Sequence, residues 1–229
     1  METIDIIIPV FNEERDLENL IKRIEEVDFC GLKKNLIFVN DGSSDSSADI
    51  LAKYPQYTII NHDKNRGKGA ALATGLKSVK SDIVVIQDGD MEYDPKDYQS
   101  ILPLIINNEA DVVYGSRLKT KDSRQSFLFF SYAANIFLTW LTNILYGCKI
   151  TDMETCYKAF RRNVLDDIEI KAQRYDFEVE ITAKVIKKGF KIKEVPISYK
   201  GRTYSEGKKI SWRDGLHAVF ALFYYRFFN

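Results

Sequence analysis

Residues 82–92 read DIVVIQDGDME: four β-branched residues in a row, then a carboxylate, a glycine and a second carboxylate. A short apolar run without alternation is the pattern of a strand buried on both faces. It predicts a strand over 82–87 that ends at Asp88-Gly89-Asp90. Two carboxylates two residues apart, with Glu92 beyond, are hard oxygen donors that can share a divalent cation with phosphate oxygens. Magnesium and manganese suit such a site, because they take few protein oxygens and complete the shell with water and phosphate. Taken alone, the pattern equally fits acidic residues that merely open a turn.

The same rhythm recurs to either side. On the N-terminal side, residues 4–10 form a β-branched run ended by Pro9-Val10-Phe11-Asn12. Asn12 is expected to cap a helix whose apolar positions Leu17, Leu20, Ile21, Ile24 and Val27 follow the 3.6-residue period. Residues 36–39 predict a second strand, stopped by Asp41-Gly42-Ser43-Ser44. A short helix capped near residues 44–46 and a third strand at 57–60 follow. Asn65-Arg66-Gly67-Lys68-Gly69 then opens an alanine-rich helix through Leu76. On the C-terminal side, Pro95 suits a first helical turn, and residues 111–114 predict a further strand. A helix over 177–187 and a strand-like stretch over 191–199 come later. This order predicts an α/β fold with a mostly parallel sheet covered by helices. Ligands of such sheets collect beyond the carboxyl ends of the strands. Asp41, Asp88, Asp90 and Arg117 all follow strand ends and are expected in one pocket.

Composition narrows the function classes. The 229 residues carry 33 Lys+Arg against 33 Asp+Glu, with 45% hydrophobic and 29% charged residues. That is an ordinary globular chain, expected as a single domain over 1–229. Without a charge excess, a nucleic-acid partner is not expected. Cys30, Cys148 and Cys156 stand apart, and with His62 and His217 they complete no zinc set, so reduced thiols are expected. The opening METIDIIIPV has no basic stretch before a long apolar run and predicts no signal peptide.

Residues 125–148 contain no charge. Ser131, Asn135, Thr139 and Thr142 recur on one stripe of a helix, and apolar residues take most of the rest. The stripe predicts a helix at a membrane surface or over the protein's own core rather than a span. From Lys200 onward six Lys/Arg face only Glu206 and Asp214, a local net of +4, before the chain closes on an aromatic run. A basic loop and an aromatic amphipathic end suit an anionic membrane surface. A docked terminal helix with a solvated loop is the alternative.

The ordered series IIIPVFNEE, VNDGSSD, NRGKGAA, QDGDMEYDP and VYGSR, with TDMETCYKAFRR and GRTYSEGKKISWRDG behind it, resembles the family-2 glycosyltransferases of the GT-A (Rossmann-like) fold. The likeness is to the dolichol-phosphate mannosyltransferase-like, polyprenyl-phosphate branch. It implies a nucleotide-sugar-binding part over 1–118 and an acceptor-binding, membrane-facing part over 119–229. It also implies donor contacts from Pro9, Phe11, Glu13, Asp41, Lys68 and Asp88, and a Mg2+ or Mn2+ ion on Asp88, Asp90 and Glu92. Arg117, Ser131, Arg202 and Lys209 match positions that gather the acceptor phosphate. Relatives often carry an Arg where this chain has Phe127, and Arg124 is the nearby substitute. Asp152 and Glu154 match an acidic stretch beside the reaction centre, so Asp152 and Asp90 are the expected catalytic carboxylates. Asp152 would be the general base for a hydroxyl acceptor, whereas with a phosphate acceptor it would orient the reactants. The implied partners are a UDP- or GDP-sugar, a polyprenyl phosphate, a membrane surface, and a second copy or a membrane protein. The implied place is the cytoplasmic face of a membrane, held peripherally.

Competing classes fail on single residues. A Walker loop needs Ser or Thr after Lys68, where Gly69 stands. A dinucleotide oxidoreductase needs GxGxxG after the first strand, and a nucleotidyltransferase a glycine-rich signature there, where Pro9-Val10-Phe11-Asn12 stands. A silent binding module would lack the carboxylates. A glycosyltransferase acting on a glycan or protein hydroxyl remains open.

Overall fold

The computed structural model describes residues 3–202 and 212–228. In chain order the elements are β1 (Thr3–Val10), α1 (Leu17–Glu26), β2 (Lys33–Asn40), α2 (Ser47–Ala52), β3 (Thr58–Asn61), α3 (Lys68–Leu76) and β4 (Ile83–Ile86). A 3-10 turn at Pro95–Asp97 leads into α4 (Tyr98–Ile106), followed by β5 (Val112–Ser116), α5 (Lys121–Gln125) and α6 (Phe129–Tyr146). The remainder comprises β6 (Lys158–Arg161), α7 (Arg162–Leu165), α8 (Phe177–Lys187), β7 (Ile192–Pro196) and α9 (Trp212–Phe227).

The strands form one seven-stranded sheet in the order β3-β2-β1-β4-β6-β5-β7. β6 runs antiparallel to both β4 and β5, and the other pairings are parallel. Chain order reverses between β1 and β4, which opens a crevice beyond their carboxyl ends. β1 is buried along almost its whole length, consistent with its central place and β-branched run. One apolar cluster packs α1, α2 and α4 on one face of the sheet, and a second packs α3 and α8 on the other. A third joins α6, α8 and α9 and meets the sheet at Ile192 of β7.

Three expectations need correction. Asn12 caps no helix: its φ is 52°, its Oδ1 accepts from the Ser44 backbone N–H at 2.8 Å, and α1 begins at Leu17 behind Asp16. The side chain is taken by the turn after β2, so the end of β1 is tied to that turn instead. β6 is absent from the sequence reading, because KAFR is too short and too charged to stand out. The charge-free stretch 125–148 is not one helix; the chain turns at Ser126–Leu128, and α6 spans 18 residues.

α6 is inverted relative to an ordinary surface helix. Its polar residues Asn135, Thr139 and Thr142 are buried, while Phe129, Phe130, Phe137, Trp140 and Ile144 are exposed. Among the described residues no helix is long and apolar enough to cross a membrane.

Candidate active site

The turn after β4 touches the end of β1. A Cβ on Gly89 would lie 2.8 Å from the Pro9 carbonyl oxygen, so only glycine lets the two strand ends meet. That contact sets Asp88 and Asp90 in the crevice, beside Phe11 and Glu13 on the segment that follows β1. Asp90 is 7% exposed and its Oδ1 accepts from the Glu92 backbone N–H at 3.0 Å.

Arg202 gathers the acidic groups of this edge. Its guanidinium bonds Asp90 Oδ2, Glu13 Oε2 at 3.0 Å and Glu92 Oε1 at 3.3 Å, and its backbone N–H also donates to Glu92 at 3.0 Å. Burial and the neighbouring charges of Asp88 and Glu92 push the Asp90 carboxyl up to about 8, against the pull of Arg202. One guanidinium shared by three carboxylates does not neutralise them. Arg202 itself is raised above its usual value, since those carboxylates outweigh its partial burial.

Lys68, the first residue of α3, points at the same turn. Its Nζ lies 2.8 Å from Asp88 Oδ1, 3.1 Å from Glu178 Oε1 and 2.7 Å from Cys156 Sγ. Burial alone would lower the ammonium, but Asp88, Cys156 and Glu178 hold it well above the usual value. Asp88 is correspondingly low: burial would raise it, but Lys68, the Cys156 hydrogen bond and Arg202 together hold it down.

Asp88, Asp90 and Glu92 do not gather into one centre, and no group of three His, Cys, Asp or Glu side chains that would hold an ion occurs among the described residues. The protein's own cations occupy the carboxylates expected to take the ion: Lys68 holds Asp88, while Arg202 and the Tyr199 hydroxyl, 2.9 Å from Glu92 Oε2, hold Glu92. The donor set still fits a hard divalent cation. Asp90 lies among unneutralised carboxylates, and Mg2+ or Mn2+ needs only one or two of them beside waters and substrate phosphate.

Asp41, one residue past β2, serves its own chain. It accepts from the backbone N–H groups of Arg66 at 3.0 Å and Gly67 at 2.8 Å, and meets His62 Nδ1 at 2.6 Å. His62 Nε2 reaches Thr74 Oγ1 at 3.0 Å, so His62 braces Asp41 against α3. The structure thus places Asp41 under the glycine-rich loop, a role the sequence reading missed. The first N–H groups of α3 are also taken, Gly69 by the Arg174 carbonyl and Ala70 by that of Gln173.

On the other side of the crevice, Asp152 is fully buried and accepts from Arg117 N, Nε and Nη2 at 2.9, 2.8 and 2.7 Å and from Asn135 Nδ2 at 2.9 Å. Burial would raise this carboxyl, yet Arg117 and Asn135 hold it below the usual value. The Arg117 guanidinium stacks on Phe127 at 5.0 Å and on Tyr199 at 5.1 Å. Phe127, where relatives often have an Arg, is thus part of the Arg117 clamp. Arg124 is exposed and bonds back to the Thr120 carbonyl at 3.2 Å, so it does not substitute. Ser131 sits on the first turn of α6, four residues before Asn135. Lys209 lies outside the described residues.

The crevice therefore brings together Pro9, Phe11, Glu13, Asp88, Asp90, Glu92 and Arg202 on one side, and Arg117 and Asp152 on the other. Tyr199 joins the sides, with its ring on Arg117 and its hydroxyl on Glu92. Glu178, Tyr199 and His62 were missed. Only Tyr199 had a signal, as the last residue of a strand-like stretch before the basic loop.

This architecture is the GT-A fold, and the chain belongs to the glycosyl transferase family 2, whose profile matches residues 5–169. It is an enzyme of that family, a glycosyltransferase. It is 28% identical over 99% of its length to the uncharacterized protein MJ1222 of Methanocaldococcus jannaschii, covering 93% of that protein. It is 28% identical over 84% of its length to the UDP-N-acetylglucosamine–dolichyl-phosphate N-acetylglucosaminyltransferase of Methanococcus voltae, covering 83% of it. Among solved structures it resembles the glucosyl-3-phosphoglycerate synthase of Mycobacterium tuberculosis in complex with Mn2+ and UDP-glucose. The TM-score there is 0.71, with 20% identity over 98% of this chain and 79% of the other.

Proposed function

We propose that the chain transfers a sugar from a UDP- or GDP-sugar to a polyprenyl phosphate, with inversion at the anomeric carbon. The observation that carries the acceptor class is the state of Asp152. A hydroxyl acceptor needs a base beside its attacking oxygen. Asp152, buried at that side of the crevice, is saturated by Arg117 and Asn135 and held low, which makes it a poor base. A phosphate acceptor is already an anion and needs positioning rather than deprotonation. Asp152 then acts as the anchor that sets the Arg117 guanidinium, packed against the Phe127 and Tyr199 rings, toward the acceptor.

α6 supports the same class. Its buried stripe delivers Asn135 to Asp152, while its opposite face is apolar and exposed, so the reaction centre lies one helix thickness from a surface that suits lipid. The relative in Methanococcus voltae is named for a dolichyl-phosphate acceptor, which fits. The membrane surface, the cytoplasmic face and the peripheral attachment belong to this reading, as do the donor-side and acceptor-side parts over 1–118 and 119–229.

In the proposed reaction a phosphate oxygen of the lipid forms a bond to the anomeric carbon. The bond from that carbon to the nucleoside diphosphate breaks on the opposite side, and the diphosphate leaves with the electron pair. A divalent cation held at Asp90, with Asp88 or Glu92, supplies neutralisation of the leaving charge when bound. Lys68 and Arg202 line the same edge and offset part of its carboxylate charge.

The test is a product assay with Mn2+, labelled UDP- and GDP-sugars and polyprenyl phosphate in detergent. Label entering the lipid phase with one donor supports the reading. Transfer to soluble hydroxyl acceptors, with none to lipid, would replace it with a glycan or protein acceptor.

A further inference from the structure

The polar cluster behind Lys68 has no role in the steps above. Glu178, the second residue of α8, is 4% exposed; its Oε1 meets Lys68 Nζ at 3.1 Å, and its Oε2 has no partner in the protein. Glu154 Oε1 and Thr155 Oγ1 are likewise buried without a partner. Lys158, fully buried, is near enough for its charge to bear on Glu154 but gives its protons elsewhere. Its Nζ donates to the Met153 carbonyl at 3.0 Å and to the Thr155 carbonyl, and faces the Tyr114 ring at 4.4 Å.

These groups stand between the two halves of the crevice. Glu178 reaches Asp88 through Lys68, and burial together with the charge of Glu178 pushes the Glu154 carboxyl up to about 8, against the pull of Lys158 and Arg117. A buried oxygen left without a hydrogen bond has lost its water without replacing it, which is unfavourable. Three of them, flanked by the leaving-group edge and the acceptor clamp, call for a ligand that presents hydroxyl protons.

We propose that Glu178, with Glu154 and Thr155, forms the subsite that receives the ring hydroxyls of the donor sugar and selects a neutral sugar over a hexuronate. The inference rests on the nucleotide-sugar reading given above. An ionised carboxylate only accepts, so it matches a hydroxyl that donates. The Thr155 hydroxyl both gives and takes. A carboxylate on the sugar would meet the carboxylate of Glu178, whose Lys68 partner is shared with Asp88, while Lys158 gives its protons to carbonyl oxygens. A site built around buried acceptors rejects ligands that leave them unpaired or repelled far more strongly than an apolar pocket rejects one of the wrong size.

The experiment is calorimetric binding in Mn2+ of UDP, UDP-glucose, UDP-glucuronate, GDP and GDP-mannose to the wild type, Glu178→Gln and Glu178→Ala, with thermal unfolding as the check on folding. A neutral sugar nucleotide should bind the wild type more tightly than its bare diphosphate, and the glucuronate more weakly than the glucose donor. Glu178→Ala should weaken the preferred sugar nucleotide about tenfold, by the loss of one buried hydrogen bond to a charged group. The bare diphosphate should change less than twofold. Glu178→Gln, which keeps an acceptor oxygen, should recover part of the loss. Equal weakening of diphosphate and sugar nucleotide would overturn the inference and leave Glu178 as a support for Lys68. Equal affinity for glucose and glucuronate donors would overturn the selectivity. Failure of every nucleotide to bind would sink the donor reading and this inference with it.

Discussion

Arg117 and Asp152 set the energetics of the crevice at the level of single residues. Breaking a buried ion pair from one side leaves an uncompensated charge, at a cost of about 3–5 kcal/mol. Arg117→Ala should therefore lose stability of that order in chemical denaturation, because Asp152 is fully buried and keeps only Asn135 and the backbone N–H of residue 117. Asp152→Asn should cost less than Arg117→Ala, since the amide oxygen can still accept from the guanidinium, which keeps its contacts with Phe127 and Tyr199. In the pH dependence of kcat/KM, Asp152 held below its usual range should give no acid limb above the ordinary carboxylate values. A limb near pH 5 or 6 that vanishes in Asp152→Asn would make it a base and favour a hydroxyl acceptor. His62 gives a second case. Removing its ring by His62→Ala leaves Asp41 with backbone donors alone and should cost about 1–3 kcal/mol of stability. An unchanged denaturation midpoint would show that the loop holds Asp41 without it. The positions of the carboxylates after β4 and of Arg117 after β5 were legible because they follow strand ends, whereas Asp152, between α6 and β6, was marked only by the family resemblance. Glu178, Tyr199 and His62 were not, since a helix-face glutamate, a tyrosine and a lone histidine look like solvated or core residues until the chain is folded.

Among the elements, the glycine-rich loop and α6 show where sequence pattern and packing part company. Gly67 has φ of 96°, and a Cβ there would lie 2.3 Å from the Gln173 carbonyl oxygen. Gly67→Ala should therefore destabilise by at least about 1–3 kcal/mol, through both strain and clash. An unperturbed unfolding curve would mean that the 172–174 segment moves aside. α6 was foreseen as an amphipathic helix, and its polar stripe was read correctly, but which face is buried was not. Periodicity marks two faces, and only the partner decides between them. Here the partner is a buried carboxylate, so the polar face turns inward to satisfy Asp152 and the Met153 backbone. Replacing Phe130, Phe137 and Trp140 together by Ser should change stability by no more than about 0.5 kcal/mol per site, because all three are exposed. The same variant should sediment less with anionic lipid vesicles than the wild type. Equal sedimentation would remove α6 from the membrane surface and leave the lipid reading resting on Asp152.

In the molecule as a whole, the parallel part of the sheet was legible because strands buried on both faces announce themselves as β-branched runs. The antiparallel β6 was not, because its position between β4 and β5 is fixed by partners distant in sequence. That placement has a consequence for stability against pH. β7 continues into Ser198, whose backbone N–H donates to Asp97 Oδ2 at 2.7 Å across 101 residues of chain. Partial burial, with Asp94 nearby, pushes the Asp97 carboxyl up to about 6, although Ser198 pulls the other way. A carboxyl whose folded value is raised binds its proton more tightly in the native state. Its contribution to stability is then fully present below the unfolded value near 4 and is lost as pH rises through about 6. Asp97→Asn removes this dependence while an amide oxygen can still accept from Ser198. The variant should match the wild type near pH 4 and exceed it at pH 7.5 by about 1 kcal/mol, a figure kept small because the group is partly exposed to solvent. Thermal unfolding of both proteins at the two pH values checks the sign. A variant less stable than the wild type at pH 7.5 would mean that the ionised carboxylate, through its bond to Ser198, holds β7 against α4 more strongly than its burial opposes it.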